Sequence, residues 1–315
     1  MTAKLSAGDT THTVPAGIKR RPLDGVLKEV AGVSWGDARR LVETGKVEVS
    51  GNRVSDTRHP VSTGESIVIR PNAPRPATRE RLTNDVIVHA DPYVVVVRKP
   101  AGISTVPFDE DERNTLDQMV RALLSRERKK RGSGRIEGTL GVVHRLDKDT
   151  SGLLVFARTL AAKKMLAQQF REHTVQRRYL AIVHGHTITR TYRSRLVADR
   201  GDGLRGSTTD SNQGVPAITH VEALERLDGA TLVACRLETG RTHQIRIHLS
   251  EAGHPLVGER VYMRRWGGAI ISAPRQMLHA QLLGFAHPHG GHDVSWEEDP
   301  PEDFQAVLQR LRAKG

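Results

Sequence analysis

The sequence predicts an α/β (α+β) protein, a large domain behind a smaller module, and three stretches carry that prediction. Residues 152–157 are apolar, with β-branched and aromatic members between Ser151 and Arg158, and read as a buried strand. Ala162, Met165, Leu166, Gln169 and Phe170 fall at i, i+3, i+4, i+7 and i+8, the stripe of a surface helix with Thr159 as its N-cap. Pro71, Pro74 and Pro76 remove backbone donors and fix φ, so neither a helix nor a sheet ladder continues through them. A linker is therefore expected at 71–84. It joins a small module, 20–70, to a large domain, 85–315, and residues 1–19 read as a flexible tail.

Within the module, Leu23, Val26, Leu27 and Val30 share one helix face. Ser34 caps a second helix that buries Ala38, Leu41 and Val42 and stops at Gly45, where φ > 0 is wanted. Val47 and Val49 alternate with polar neighbours, Ser50-Gly51-Asn52 marks a turn, and Glu65 to Ile69 reads as a further strand. In the large domain, Asp85 to Val88 and Tyr93 to Val97 read as paired strands, and Thr115 to Leu124 as a helix. The basic run from Ser125 to Gly138 reads as a solvated loop. Arg178 to Val183 is a strand with Tyr179, Ala181 and Val183 on one face. Residues 198–216 read as an extended loop before a strand resuming at Ala217, and Thr231 to Thr239 as another strand. Thr242 is expected to cap a helix that ends at Gly253 and carries Arg246 one turn in, and a terminal helix spans Glu302 to Arg312.

A chain of 315 residues with 37% hydrophobic content has enough apolar surface for a packed core, which excludes a disordered protein. Its net charge of +12 favours a polyanionic partner, because neutralising phosphates releases counterions. The single cysteine, Cys235, excludes an internal disulfide. No apolar run reaches the length of a membrane span, and residues 1–19 lack the apolar centre of a signal peptide. A cytoplasmic monomer is expected.

The densest chemistry lies at 144–151, where His144, Arg145, Asp147, Lys148, Asp149, Thr150 and Ser151 crowd into eight positions. By composition alone this suits a solvated loop as well as a site. The order His-Arg-Leu-Asp-Lys-Asp-Thr-Ser-Gly-Leu-Leu resembles the signature of the RluA-type pseudouridine synthases, with Asp147 on the family's essential aspartate. Lys99-Pro100-Ala101-Gly102, Tyr179 within Arg177 to Ala181, and Gly240 to His248 resemble further family motifs. So do Gly253 to Gly258, Arg275 to Ala280 and Phe285 to Pro288, the last two as a closing strand pair. Glu259 stands where the family usually has Asp. Residues 20–70, with Arg39, Arg40, Lys46 and Arg53, resemble the S4-like RNA-binding module shared with a small-subunit ribosomal protein.

The resemblance implies a mixed, mostly antiparallel split sheet with flanking helices, and isomerisation of uridine in RNA without metal or cofactor. Large-subunit ribosomal RNA is the expected substrate, with transfer RNA as the alternative. The resemblance further implies that Asp147 acts as nucleophile or base toward the sugar, that Arg246 holds it charged and that Tyr179 stacks on the base. On the same ground Arg145 is expected to fill the space left by a flipped nucleotide, and His144, Arg241, Arg39, Arg40 and Lys46 to contact RNA. Three other classes compete. One is a glycosidase using Asp147 and Asp149, one a metal protein using His184, His186, His287 and His289, and one an RNA-binding protein without catalysis.

Overall fold

The computed structural model describes residues 8–55, 57–73, 82–108, 112–130 and 140–313. Most of the expected linker, residues 1–7, and Arg131 and Arg135 of the basic run lie outside them. The chain divides into two compact units, Met1–Arg81 and Leu82–Gly315.

The first unit runs β1 (Thr10–Thr13), β2 (Arg21–Pro22), α1 (Leu23–Ala31), α2 (Trp35–Glu43), β3 (Val47–Val49), β4 (Asn52–Val54), β5 (Pro60–Val61) and β6 (Ser66–Ile69). Strands β1, β6, β3 and β4 form one sheet in that order, all antiparallel. Ser34 caps α2 by accepting the Asp37 N–H at 3.1 Å, and Gly45 takes φ +67 just after it. Residues 10–19 depart from the expected tail. Thr10–Thr13 pair with Ser66–Ile69, and Val14 and Ile18 are buried with Leu23, Leu27 and Ile67, because these two apolar side chains complete the module's core.

The second unit runs β7 (Ile87–Ala90), β8 (Val94–Lys99), α3 (Leu116–Lys130), β9 (Gly141–Val142), β10 (Ser151–Ala157), α4 (Leu160–Arg171), β11 (Gln176–His184), β12 (Arg190–Val197) and β13 (Gly206–Thr208). It continues with β14 (Val215–Leu227), β15 (Ala230–Leu237), α5 (Gln244–Glu251), β16 (Leu278–Ala286), β17 (Asp293–Glu297) and α6 (Glu302–Arg312). One sheet holds all its strands, in the order β13-β12-β14-β15-β11-β16-β10-β8-β7, with β17 on β16 and β9 on β10. All pairs are antiparallel except β10 with β16. That parallel contact lasts only from Ser151–His279 to Gly152–Ala280, after which the two strands part. The sheet is thus split at the point where the Asp147 loop enters it.

Strand β10 is buried along its whole length, so both faces of the sheet are covered. Leu154 and Phe156 join Tyr179, Ala181, Val183, Ile245 and Leu249 on one face, while Leu153 and Val155 meet Ala162 and Leu166 of α4 on the other. Phe304, Val307, Leu308 and Leu311 of α6 close a third cluster over Ile182 and Leu232. Burial of each such side chain is worth about 1.5–3 kcal/mol before the entropy of ordering is subtracted.

Several elements differ from expectation. Helix α3 continues to Lys130 through half of the basic run, since its Arg and Lys residues are good helix formers. A 3-10 turn, Asn84–Val86, stands where the first strand was expected to open, and that strand begins at Ile87. The 198–216 stretch contributes β13 and the first residues of β14. The expected closing pair is one strand, β16, whose second half pairs with β17 from Leu282–Glu297 to Ala286–Asp293.

Candidate active site

The turn carrying Asp147 is held from below by Lys99. This fully buried ammonium has three protons and donates to three carbonyls, those of Pro100 at 3.1 Å, Lys148 at 2.8 Å and Thr150 at 2.8 Å. Beside it, the Gly102 N–H donates to the Lys148 carbonyl at 2.7 Å. The Thr105 hydroxyl donates to the Leu146 carbonyl at 2.9 Å and accepts the Leu146 N–H at 3.2 Å. Arg275 reaches the same turn from β16's approach, donating to the Asp149 carbonyl at 3.0 Å and to Ser151 Oγ at 3.1 Å. Gly152 then enters β10 with φ +114, and a Cβ there would lie 2.2 Å from the Ala280 carbonyl oxygen. Only glycine permits this close crossing.

Above the turn sits Arg246. Its Nε and Nη2 donate to the two Glu259 carboxylate oxygens, each at 2.8 Å, and its Nη1 donates to Asp147 Oδ2 at 3.2 Å. Glu259 Oε1 also accepts the backbone N–H groups of Arg260 at 3.0 Å and Val261 at 2.9 Å. Burial opposes charge on Glu259, but Arg246 and these N–H groups hold its carboxyl below the usual range. Burial likewise opposes charge on Arg246, and Glu259 first, then Asp147, keep its pKa above the ordinary arginine value. Asp147 itself remains about a quarter exposed, at 24% of its side-chain surface. His243 Nε2 lies 3.8 Å from Asp147 Oδ1, and burial lowers its pKa against the pull of that carboxylate.

Tyr179 pairs with Ala280 in the β11–β16 register, and Ala280 is opposite Gly152. Strand pairing therefore brings the tyrosine to the foot of the Asp147 turn. Burial raises the Tyr179 pKa, Arg177 lowers it, and Asp147 raises it further. The three catalytic candidates, Asp147, Tyr179 and Arg246, thus come together.

The RNA-contact candidates divide. Arg145 is exposed next to Asp147. Arg241 is exposed and donates to the Pro216 carbonyl at 3.1 Å. His144 stacks on Phe170 at 4.5 Å and its Nε2 accepts the Val155 N–H at 3.1 Å, while burial, then Arg177, pushes its pKa down to about 3. In the first unit, Arg39 is exposed and pairs with Asp24 at 3.2 Å, Arg40 is exposed and pairs with Asp37, and Lys46 donates to the Ala73 carbonyl.

Thr242 is not the α5 cap. His243 takes that place with φ +59, because Gln244 Oε1 accepts both the Arg241 N–H at 3.0 Å and the Thr239 hydroxyl at 2.8 Å and pins the turn. Arg246 consequently lies in the first turn of α5. Sequence reasoning missed Glu259, Lys99 and His243 as parts of the site. For Glu259 the signal was present, a carboxylate retained where the related motif has Asp. Among the described residues no group of His, Cys, Asp or Glu has the arrangement of a metal site. His184 spends its ring nitrogens on the Pro255 carbonyl and the Ile271 N–H, and His287 on Asp91 and the His289 carbonyl. No helix among the described residues is long and apolar enough to cross a membrane. A concavity of about 560 Å³ lined by Arg190, Tyr192, His248 and His254 excludes Asp147; the charge arrangement, not cavity size, marks the site.

Comparison with known proteins identifies the family. Residues 93–251 match the family model described as RNA pseudouridylate synthase. The chain is 38% identical over 288 residues to a protein named ribosomal large subunit pseudouridine synthase D from Zymomonas mobilis, covering 87% of this chain and 88% of that one. It is 37% identical over 285 residues to the uncharacterized RNA pseudouridine synthase YlyB of Bacillus subtilis, covering 88% and 89%. The solved structure of human RNA pseudouridylate synthase domain containing 1 matches with a TM-score of 0.55 at 25% identity, over 76% of this chain and 97% of that one. The human domain containing 4 protein shares the fold, with a TM-score of 0.57 at 23% identity over 72% and 92%. The chain belongs to the RNA pseudouridylate synthase family and isomerises uridine to pseudouridine in RNA.

Proposed function

We propose that the substrate is large-subunit ribosomal RNA and that Asp147 is the group acting on the target nucleotide. The observation that carries the second part is the Arg246 guanidinium, locked on Glu259 by two hydrogen bonds and presenting its third nitrogen to Asp147. A carboxylate so paired is held in one orientation. It acts on the ribose either by adding to the anomeric carbon or by taking a neighbouring sugar proton, and the uracil leaves with the N1–C1′ electron pair. The base turns, C5 bonds to C1′ as the Asp147–C1′ ester bond breaks or the abstracted proton returns to the sugar, the C5 proton is lost and N1 gains one, so no oxidant or reductant is consumed. Tyr179 packs under the base and assists loss of the C5 proton. Arg145 enters the stack that the flipped uridine vacates.

The ribosomal assignment is supported by the name of the Zymomonas mobilis relative, which aligns over most of both chains. The first unit supplies affinity through the exposed Arg39 and Arg40, with no part in bond making. A reducing, cytoplasmic setting suits the buried thiol of Cys235, whose pKa burial pushes up to about 12. The test is a pseudouridine map of all stable RNAs in cells with the gene, without it, and complemented with Asp147→Asn. Loss of large-subunit sites that the Asn variant fails to restore is expected. Loss confined to transfer RNA would overturn the substrate assignment, and restoration by the Asn variant would overturn the role of Asp147.

A further inference from the structure

Phe108 is the most exposed large apolar side chain among the described residues, at 90% of its surface. Nothing in the fold profits from an aromatic ring there: among the described residues no ring or cation stacks on it. The segment that presents it is nevertheless firmly braced. The Glu112 carboxylate accepts the Phe108 N–H at 2.7 Å through one oxygen and the Ser104 hydroxyl at 2.6 Å through the other. Helix α3 ties in from behind, with the Leu116 N–H on the Ser104 carbonyl at 2.9 Å and the Asp117 N–H on the Thr105 carbonyl at 3.2 Å.

The same segment is bonded to the catalytic turn on both sides of Asp147. Gly102 holds Lys148, and Thr105 holds Leu146 twice. Phe108 follows Thr105 by three residues, so its Cα lies within about 11 Å of the Thr105 Cα even if the chain between them is fully extended. An exposed ring is thereby fixed at the border of a site where a nucleotide must leave its stack. When the target uridine is extruded, its neighbours each lose a stacking partner, and an aromatic face is the sequence-independent replacement.

We propose that Phe108 stacks on a nucleobase of the substrate RNA flanking the target uridine and so contributes to RNA binding. The proposal rests on the reading of the Asp147 turn as the uridine site, and it assigns Phe108 a binding contact rather than a part in the chemistry. Loss of one stacked base corresponds to about a tenfold weakening of binding.

The experiment uses the full chain and total RNA labelled with [5-³H]uridine from cells lacking the gene, which contains the unmodified target whichever RNA carries it. Phe108→Ala is expected to raise KM about tenfold and leave kcat within about twofold, because stacking of this size acts on binding. Phe108→Trp keeps a π face and should stay within about threefold of wild type, while Phe108→Leu, apolar without that face, should resemble Ala. Thermal melting should be unchanged in all three, since the ring is 90% exposed. An unchanged KM in Phe108→Ala would overturn the proposal, as would a Leu variant equal to wild type or a Trp variant as weak as Ala. Turnover retained by Asp147→Asn in the same assay would instead overturn the reading of the site, so the two failures are distinguishable.

Discussion

Arg246 and Asp147 meet at 3.2 Å across 99 residues of sequence, and the contact is set by a third residue, Glu259, which occupies the other two guanidinium nitrogens. The Glu259 side chain is 1% exposed and that of Arg246 7%, so the pair is desolvated, and neither partner is tolerable there without the other.

Glu259→Gln is therefore expected to destabilise the protein by about 3–5 kcal/mol, the range for breaking a buried pair from one side. Turnover should fall at least tenfold at saturating RNA because the guanidinium loses its fixed aim. Urea unfolding and single-turnover kinetics check both. Normal stability with normal turnover would mean that Arg246 needs no anchor.

Tyr179→Phe removes only the hydroxyl from a buried ring. RNA affinity should hold within about twofold while turnover drops by about 10²–10⁴, the usual worth of a group assisting proton transfer. Filter binding and tritium release from uracil C5 measure the two. Unaltered turnover would reduce Tyr179 to a packing surface.

Much of this was legible in the sequence, and the misses share a cause. Local signals were reliable where the physics is local: Ser34 and Thr159 cap their helices as the spacing indicates, and residues 152–157 form the buried strand that their composition requires. What escaped notice depends on partners far along the chain. Lys99 stands in a motif whose purpose shows only when the Lys148 and Thr150 carbonyls accept from it, and the contacts of His144 with Val155 and Phe170 are likewise invisible in its own loop. Thr10–Thr13 look like tail because their strand partner, Ser66–Ile69, lies far along the chain.

Gly152→Ala tests the split of the sheet. The new Cβ would stand 2.2 Å from the Ala280 carbonyl oxygen and 2.6 Å from its nitrogen, at a φ of +114. Both partners are backbone and cannot rotate away. A loss of about 3 kcal/mol or more in urea unfolding is expected. A loss below about 1 kcal/mol would show that β10 and β16 separate freely there.

Acid should weaken the fold through its neutral histidines. An unfolded histidine binds its proton near pH 6.5, folded His144 only near 3 and folded His248 near 4, burial being the first cause for both. Between those values and 6.5 the unfolded chain holds more protons. Their contribution is fully present above pH 6.5 and is lost as pH falls through this window, by about 1.4 kcal/mol per pH unit per histidine. His144→Gln should flatten the slope of stability against pH by about one proton. An unchanged slope in urea titrations from pH 4.5 to 7 would show that His144 is not held neutral by the fold.

The account stands or falls on Asp147, and the direct measurement is single-turnover tritium release by Asp147→Asn. The amide preserves the shape of the side chain and a hydrogen-bond acceptor for Arg246, so fold and RNA affinity should match wild type while the charge is gone. The account predicts a rate below about a thousandth of wild type, as expected for loss of a nucleophile or general base. A folded, RNA-bound Asn variant releasing tritium at a tenth of the wild-type rate or faster would contradict it.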